Sequence, residues 1–342
     1  MIDLLRLTRP LNLIIIAGTM VMMRYGVIAG VMERGIRKFI ATLEEPVERG
    51  QLLLPDAFGP QLSTPLFVLL VLSTLLIAAG GNVINDYFDT RIDRINKPGS
   101  VIVGRSVKRR VAMTGHLVLS GLGLLLGAFV AWRSGMLQWA LIPAFSVGAL
   151  WSYSTSYKRQ LIIGNGLVAT LTALVPLTVG LYELPLLKRA FAEQQVITLP
   201  SGEQFSMEPV LPEFWYWILG YAAFAFLSTL VRELQKDMAD VKGDEADGCR
   251  TVPIVWGMRR AKALAVFHIA VIIAGLLWVR ALLPDHQPTY WYIGIGIIGP
   301  LLLSGAFTYI ASDRKDHLRA GNLMKLAMLM AVGYALMIPN LP

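Results

Sequence analysis

Two groups of acidic residues are the part of this sequence best suited to chemistry. The first follows a long apolar run, where Asn82 and Asn85 precede Asp86, Asp89 and Asp93. Spacings of three and four residues place these side chains on one face of a helix. Like charges on one face repel one another by roughly a few tenths of a kcal/mol per pair. We call Asp86, Asp89 and Asp93 the first acidic cluster.

The second acidic cluster also follows an apolar run and consists of Asp237, Asp240 and Asp244. It repeats the D-x-x-D-x-x-x-D spacing of the first cluster. A repeated unfavourable arrangement needs something that offsets it, and divalent cations would do so. Mg²⁺ usually binds through one or two carboxylates and shares its other positions with water and substrate phosphates. The two clusters therefore predict Mg²⁺ ions held around one diphosphate.

The composition indicates that membrane helices position these clusters. Of the 342 residues, 55% are hydrophobic and only 16% are charged, which excludes an ordinary soluble domain. The net charge of +8 then reflects membrane topology, and no nucleic-acid partner is expected. We predict an all-α, polytopic membrane protein with one domain, 1–342. Segments of about 20 apolar residues predict nine transmembrane helices near 10–31, 64–84, 111–132, 137–153, 161–182, 214–231, 262–283, 290–311 and 321–339.

The Lys and Arg residues predict the orientation in the cell membrane. Most of them lie in the N-terminal segment and in four connections, 85–110, 154–160, 232–261 and 312–320. Because basic residues concentrate in cytoplasmic connections, the N-terminus and both acidic clusters are predicted to be cytoplasmic. The single Cys249 is then in a reducing compartment, as a plain loop thiol.

Two long connections, 32–63 and 183–213, are predicted on the outer side. In the first, apolar residues recur at helical spacing over 36–43, which predicts an interfacial amphipathic helix. In the second, the run 196–205 predicts a small β-hairpin that turns at Ser201 and Gly202. Neither connection contains residues that suggest chemistry.

The motifs together resemble the UbiA superfamily of intramembrane prenyltransferases. The run N-D-Y-F-D-T-R-I-D over 85–93 and the second acidic cluster resemble that family's paired aspartate motifs. The run Y-S-T-S-Y-K over 153–158 resembles its Tyr/Lys motif. An early Arg9-Pro10 pair, Asn12 and the predicted spans extend the resemblance over the whole chain. The implied fold has nine transmembrane helices around a central cavity, with both clusters at its cytoplasmic mouth.

The resemblance implies a role for each candidate residue. It assigns Mg²⁺ as cofactor and a polyprenyl diphosphate and a lipophilic acceptor as substrates. Positive-inside topology alone would supply the basic residues, so their assignment rests on the resemblance. The catalytic residues are Asp86, Asp89, Asp93, Asp237, Asp240 and Asp244, and these six with Asn85 are the metal ligands. The substrate-binding residues are Arg9, Asn12, Asn85, Lys97, Arg105, Tyr153 and Lys158.

Further sequence runs indicate which acceptor substrate the protein uses. I-D-R-I-N-K-P over 92–98, the Gly104-Arg105 pair, the second-cluster run and T-V-P-I-V-W-G over 251–257 look most like the digeranylgeranylglyceryl phosphate synthases of ether-lipid synthesis. The implied reaction transfers a geranylgeranyl group to geranylgeranylglyceryl phosphate. An aromatic quinone precursor and a tetrapyrrole remain alternative acceptors. The run P-G-S-V-I-V over 98–103 departs from the family's proline-rich pattern at the acceptor side, and the insertion 183–213 is longer than the family's.

Two other classes of protein can also be considered. In a secondary transporter the two similar halves would be structural repeats and the acids an ion site. Transporter acids usually lie near the bilayer midplane, whereas here both clusters lie at the ends of spans beside basic connections. A purely structural membrane protein gives no reason for the repeated spacing. A prenyltransferase is therefore the favoured interpretation, and the sequence leaves the oligomeric state open.

Overall fold

Long apolar helices make up most of the structure, a computed structural model that describes residues 2–43, 49–52, 54, 58–193, 196–206 and 211–342. Helices form here because helical hydrogen bonding satisfies the backbone where water is absent. The α-helices are α1 (Ile2–Leu7), α2 (Pro10–Val21), α3 (Ala29–Ile40), α4 (Thr64–Phe88), α5 (Thr90–Asn96), α6 (Arg109–Arg133), α7 (Leu141–Thr155), α8 (Ile163–Glu193), α9 (Leu211–Ala246), α10 (Val252–Val255), α11 (Met258–Leu282), α12 (Gln287–Trp291), α13 (Gly299–Ile310) and α14 (Arg314–Gly333).

Shorter helical segments join or extend these helices. The π-helical segments Met22–Ile28 and Tyr292–Ile298 connect α2 to α3 and α12 to α13 without a break. A 3₁₀-helix, Tyr334–Asn340, extends α14. The remaining 3₁₀ segments are Arg49–Gln51, Pro98–Ser100, Leu137–Ala140 and Tyr157–Arg159.

Within the described residues, eight helices are long and apolar enough to cross a membrane. They confirm an all-α, polytopic membrane protein. The predicted span 137–153 is helical as well, but its α-helix α7 has only 15 residues. At a rise of 1.5 Å per residue α7 is about 22 Å long, shorter than the hydrocarbon core of about 30 Å. The count of nine crossings stays a prediction.

The predicted β-hairpin is present. Its strands are β1 (Val196–Thr198) and β2 (Gln204–Ser206), which pair antiparallel with Ile197 opposite Phe205. Gly202 in the turn has a φ of 88°, a conformation that glycine adopts at little cost. The hairpin prediction, including its turn, is therefore confirmed.

The predicted interfacial helix over 36–43 is helical up to Ile40, and its location at a membrane interface stays a prediction. Its first part is the end of α3, which continues the first long helix. Ile36 is buried and packs in one cluster with Ile197 and Leu199 around the hairpin. An amphipathic pattern identifies an apolar face, but that face can pack against protein as well as against a lipid interface.

Close contact between α4 and α6 fixes the helix that carries the first acidic cluster. A Cβ atom on Gly80 would lie 2.4 Å from the Ser120 side chain, and one on Gly123 would lie 2.7 Å from Ile77. The Ser73 hydroxyl also donates a 2.6 Å hydrogen bond to the Gly123 carbonyl. Small residues allow such close approach of helices in membranes.

A buried ion pair joins helices away from the acidic clusters. Arg24, in the first π-helical segment, lies 3.2 Å (Nε to Oε1) from Glu183 in α8, and both side chains are almost fully buried. Glu183 also accepts hydrogen bonds from the backbone N–H groups of Gln61 and Leu62, at 2.7 and 3.0 Å. The pair therefore ties the first long helix, α8 and the segment before α4 together.

Removing Glu183 should destabilise the protein. Glu183→Ala leaves the Arg24 guanidinium buried without its counter-charge, which typically costs about 3–5 kcal/mol. We expect a correspondingly lower free energy of unfolding when the purified protein is titrated with denaturing detergent. Glu193→Ala, at the exposed end of the same helix, is the matched control. Equal unfolding transitions for the two variants would contradict a stabilising role of the pair.

Candidate active site

The first acidic cluster begins in the last turn of α4 and continues into α5. Asp89 connects the two helices with φ −80° and ψ −1°, close to helical values. Its carbonyl accepts a 2.8 Å hydrogen bond from the Asp93 N–H. The helical spacing thus continues across the junction, and Asn85 donates a 2.8 Å side-chain hydrogen bond to Asp89.

Basic residues neutralise the first cluster. Asp86 accepts a 2.6 Å hydrogen bond from Arg9, Asp89 contacts Lys158, and Asp93 lies 3.3 Å from Lys97. Burial raises the pKa of Asp93 above its ordinary value, although the Lys97 ammonium partly offsets that effect.

Arg9 is positioned by an unusual backbone conformation. It separates α1 from α2 with φ 54° and ψ 65°, in the left-handed region, which non-glycine residues seldom adopt. Burial alone would lower the pKa of Arg9, but the Asp86 carboxylate raises it above its ordinary value. Arg9 therefore stays charged next to the first cluster.

The second acidic cluster occupies the last three turns of α9. Asp237 accepts a 2.7 Å hydrogen bond from Asn165 of α8. Asp240 pairs at 3.1 Å with Arg314 at the start of α14. Asp244 is buried. The cluster is thus held in place by contacts with α8 and α14.

The two clusters meet at the same end of the bundle, as predicted. The Asn96 side chain at the end of α5 donates to the Asp240 carbonyl and accepts from the Gly243 N–H, both at 3.0 Å. A Cβ atom on Gly243 would lie 2.4 Å from the Asn96 amide nitrogen. The absence of a side chain at 243 therefore allows α5 to contact α9 directly.

Lys158 lies between the clusters, in the 3₁₀ turn between α7 and α8. Burial alone would lower its pKa, but the carboxylate of Asp89, with smaller contributions from Asp244 and Asp93, raises the pKa above its ordinary value. One ammonium group thus interacts with carboxylates of both clusters. It stays protonated at neutral pH.

A cavity of about 310 Å³ extends from the clusters into the bundle. Four of the predicted site residues line it: Arg9, Asn12, Asn85 and Tyr153. On α4 its lining runs from Asn85 to Leu70, which at 1.5 Å per residue spans about 22 Å of helix. The cavity is polar beside the clusters and becomes mainly apolar further along α4.

Arg105 does not join this group in the structure. It is exposed in a turn after Gly104, and it does not line the cavity. Within the described parts of the chain it forms no ion pair. The other predicted site residues line the cavity, belong to one of the two clusters or, as Lys97 and Lys158 do, contact the first cluster.

Sequence reasoning gave no site role to several residues that the structure places here. Arg232, Glu233, Lys236 and Lys325 line the cavity, and Arg314 contacts the second cluster. In the sequence these residues could be recognised only as charged residues inside or at the edge of an apolar span. That signal does not show which neighbour the side chain meets.

The carboxylates are arranged as pairs with basic and amide groups. In the part of the chain that the structure describes, no three acidic, His or Cys side chains converge closely enough to hold a metal ion. Five of the six aspartates contact an Arg, Lys or Asn side chain instead. The metal-ligand assignment therefore stays a prediction.

Comparison with known proteins identifies the family. Residues 57–329 match the UbiA prenyltransferase family. The chain belongs to this family. The digeranylgeranylglyceryl phosphate synthase of Thermococcus sibiricus is 29% identical over 284 residues, covering 80% of this chain and 84% of that protein. The synthase of Methanoculleus marisnigri is 31% identical over 276 residues, covering 78% and 86%.

Solved structures share the fold of this UbiA family member. A digeranylgeranylglyceryl phosphate synthase matches with a TM-score of 0.56 and 22% identity over 98% of both chains. An apo UbiA homolog from Aeropyrum pernix K1 matches with a TM-score of 0.59 and 15% identity over 94% of this chain and 98% of that chain. The predicted UbiA-type fold and the prediction of a prenyltransferase are confirmed. Family membership excludes the transporter interpretation.

Lys158 offers a direct test of the site in this prenyltransferase. Lys158→Met removes the charge between the clusters and keeps an unbranched side chain. We expect turnover to fall by about 10²–10³-fold, as when one donor to a developing negative charge is lost, measured as prenylated product. Lys242→Met, exposed on α9 beside the second cluster, should retain wild-type turnover. Equal turnover in the two variants would show that Lys158 has no role in the reaction.

Proposed function

We propose that this UbiA family member transfers a geranylgeranyl group from its diphosphate to geranylgeranylglyceryl phosphate, with Mg²⁺ as cofactor, in ether-lipid synthesis. The observation that carries the proposal is the meeting of the two acidic clusters at the polar end of an otherwise apolar cavity. That arrangement suits a substrate with a charged diphosphate and a long apolar tail.

The relatives support the acceptor and the cofactor. Several relatives that match about 80% of the chain are digeranylgeranylglyceryl phosphate synthases. A UbiA homolog from Archaeoglobus fulgidus, with a TM-score of 0.53, 15% identity and coverage of 98% of this chain and 99% of that chain, is bound to GPP and Mg²⁺. These proteins support a prenyl diphosphate donor, Mg²⁺ and a glycerophosphate acceptor for this chain.

The donor atoms of the site fit Mg²⁺, which prefers oxygen ligands. The Asn85 Oδ1 atom is buried and has no hydrogen-bond partner within the described residues, so it can accept a ligand without losing another contact. Bound Mg²⁺ would neutralise charge that develops on the departing diphosphate. The residues proposed to hold it are Asn85, Asp86, Asp89, Asp93, Asp237, Asp240 and Asp244.

The chain's own cations complete the charge stabilisation. Lys97, Lys158 and Arg9 already contact the first cluster, so a diphosphate bound there lies within their reach. Ammonium groups act as point charges, and a guanidinium can donate two parallel hydrogen bonds. These fixed positive charges stabilise the leaving diphosphate more strongly as its C–O bond breaks.

The apolar part of the cavity accounts for the tail and protects the cation. Its walls include Ile15, Ile77, Leu171 and Val175, which offer no nucleophile to the allylic carbocation. Tyr153 lines the same cavity, and its ring can face the carbocation. The acceptor hydroxyl oxygen then attacks the cation and forms the ether C–O bond, and the hydroxyl proton passes to water or to the released diphosphate.

We further propose that the N-terminus and both clusters face the cytoplasm. The N-terminal segment and the four connections 85–110, 154–160, 232–261 and 312–320 contain most of the Lys and Arg residues, in agreement with the positive-inside rule. A water-soluble diphosphate group would then approach from the cytoplasm, while the tail stays in the lipid.

An assay of purified protein tests the reaction. The enzyme receives geranylgeranyl diphosphate and a panel of acceptors, namely geranylgeranylglyceryl phosphate, an aromatic quinone precursor and a tetrapyrrole alcohol. Mass spectrometry identifies the products with Mg²⁺ and after chelation. We expect digeranylgeranylglyceryl phosphate, with Mg²⁺ only. Transfer to another acceptor and none to geranylgeranylglyceryl phosphate would reject the proposed acceptor and leave the prenyl transfer itself standing.

Aspartate variants test the two clusters in the same assay. Asp89→Asn and Asp240→Asn each remove one carboxylate charge and keep the side-chain shape. We expect turnover to fall by at least about 10²-fold in each, the order seen when one charge-stabilising group is removed. Asp285→Asn is the control, since Asp285 is fully exposed near Arg280. Normal turnover in one of these variants would show that the reaction does not require the carboxylate of that cluster.

A further inference from the structure

The cavity contains positive charge beyond that assigned to the diphosphate site. Its lining includes four basic side chains, Arg9, Arg232, Lys236 and Lys325, but only one carboxylate, that of Glu233. Arg9 pairs with Asp86. Arg232 and Lys236 share Glu233, at 3.2 and 2.7 Å.

Lys325 differs from the other three cations. Its Nζ donates a 3.1 Å hydrogen bond to the neutral Asn12 side chain, and no acidic side chain in the described ranges pairs with it. It lies well inside α14, in a helix apolar enough to cross the membrane. A charged residue inside a span usually has a partner or a function. Lys325 thus has no carboxylate partner among the described residues.

Arg232 makes an anion at this position more favourable. Arg232 is on α9 and Lys325 is on α14, two helices that pack against each other, and like charges on neighbouring helices repel each other. Both line the same cavity as Asn12. An anion bound beside them would remove the repulsion and supply Lys325 with a counter-charge.

An anion bound at Lys325 would lie away from the second acidic cluster. On α9, Arg232 precedes Asp240 by eight residues, about 12 Å along the helix. On α14, Lys325 follows Arg314, the partner of Asp240, by eleven residues, about 16 Å. Asn12 is less than one turn from Arg9, the partner of Asp86. An anion at Lys325 would therefore lie deeper in the cavity than the clusters, within about one helical turn of Arg9 along α2.

We propose that Lys325, with Arg232 and Asn12, binds the phosphate group of the acceptor lipid. The inference rests on the proposed function, because it takes the second substrate to be a phosphomonoester. Such a group carries a charge of about −1.5 to −2 at neutral pH, which suits two cations and an amide. The acceptor phosphate is thereby held apart from the donor diphosphate.

Steady-state kinetics of Lys325→Met test the proposal, with geranylgeranylglyceryl phosphate and its dephosphorylated analogue geranylgeranylglycerol as acceptors. The KM for the phosphorylated acceptor should rise about 10- to 100-fold, as expected when a hydrogen bond to a charged group is lost. The KM for geranylgeranyl diphosphate should change less than about threefold, because the proposed donor site at the acidic clusters does not include Lys325. The preference for the phosphorylated acceptor in kcat/KM should fall by the same factor.

Two further variants separate binding from folding. Lys325→Arg retains the charge and should keep the acceptor KM within about threefold of wild type. Lys315→Met, exposed in the first turn of α14, should leave both KM values unchanged. Calorimetric titration with geranylgeranylglyceryl phosphate, without donor, should detect weaker binding only for Lys325→Met. Its unfolding transition should match that of wild type.

The outcomes distinguish this inference from the proposed function. Wild-type transfer to the glyceryl phosphate with an unchanged acceptor KM in Lys325→Met would overturn the inference and leave the proposed function standing. An equal loss for both acceptors and the donor would indicate a structural role and also overturn it. Transfer by the wild type to phosphate-free acceptors alone would reject both.

Discussion

Electrostatic repulsion between six carboxylates at one end of the bundle is the constraint on which the rest of this structure depends. The helices α4 and α5 together carry three aspartates, and α9 carries the other three. Neighbouring segments supply the offsetting cations: Arg9 before α2, Lys158 before α8 and Arg314 at the start of α14. Lys158 interacts with both clusters. The charge balance of the site therefore requires several helices at once, which explains why it forms where they converge.

Packing keeps this end of the bundle in place. Asn96 joins α5 to α9 through two backbone groups, and glycines at the α4–α6 contact leave no space between those helices. The Arg24–Glu183 pair performs a similar function away from the clusters. Side chains in a close-packed interior have few alternative positions, so the carboxylates are held while the cavity beside them stays open.

The sequence predicts those features that depend on local spacing. The shared positions of Asp86, Asp89 and Asp93 follow from helical periodicity, and the hairpin follows from its turn residues. Features that depend on which helices become neighbours were not predictable. Lys325 was visible as a charge inside a span, but its contact with Asn12, 313 residues earlier, requires the tertiary fold. For the same reason the sequence could not show that the apolar face at Ile36 packs against the hairpin.

The left-handed backbone at Arg9 places two requirements of this position in conflict. A non-glycine residue in a sparsely populated backbone region costs on the order of 1–3 kcal/mol, so glycine would suit the chain direction between α1 and α2 better. Glycine, however, could not contact Asp86 as the guanidinium does. The identity of residue 9 is thus a compromise in which the chain accepts local strain to keep a cation at the mouth of the cavity. Gains in stability at this position would come at the expense of the charge that the site needs.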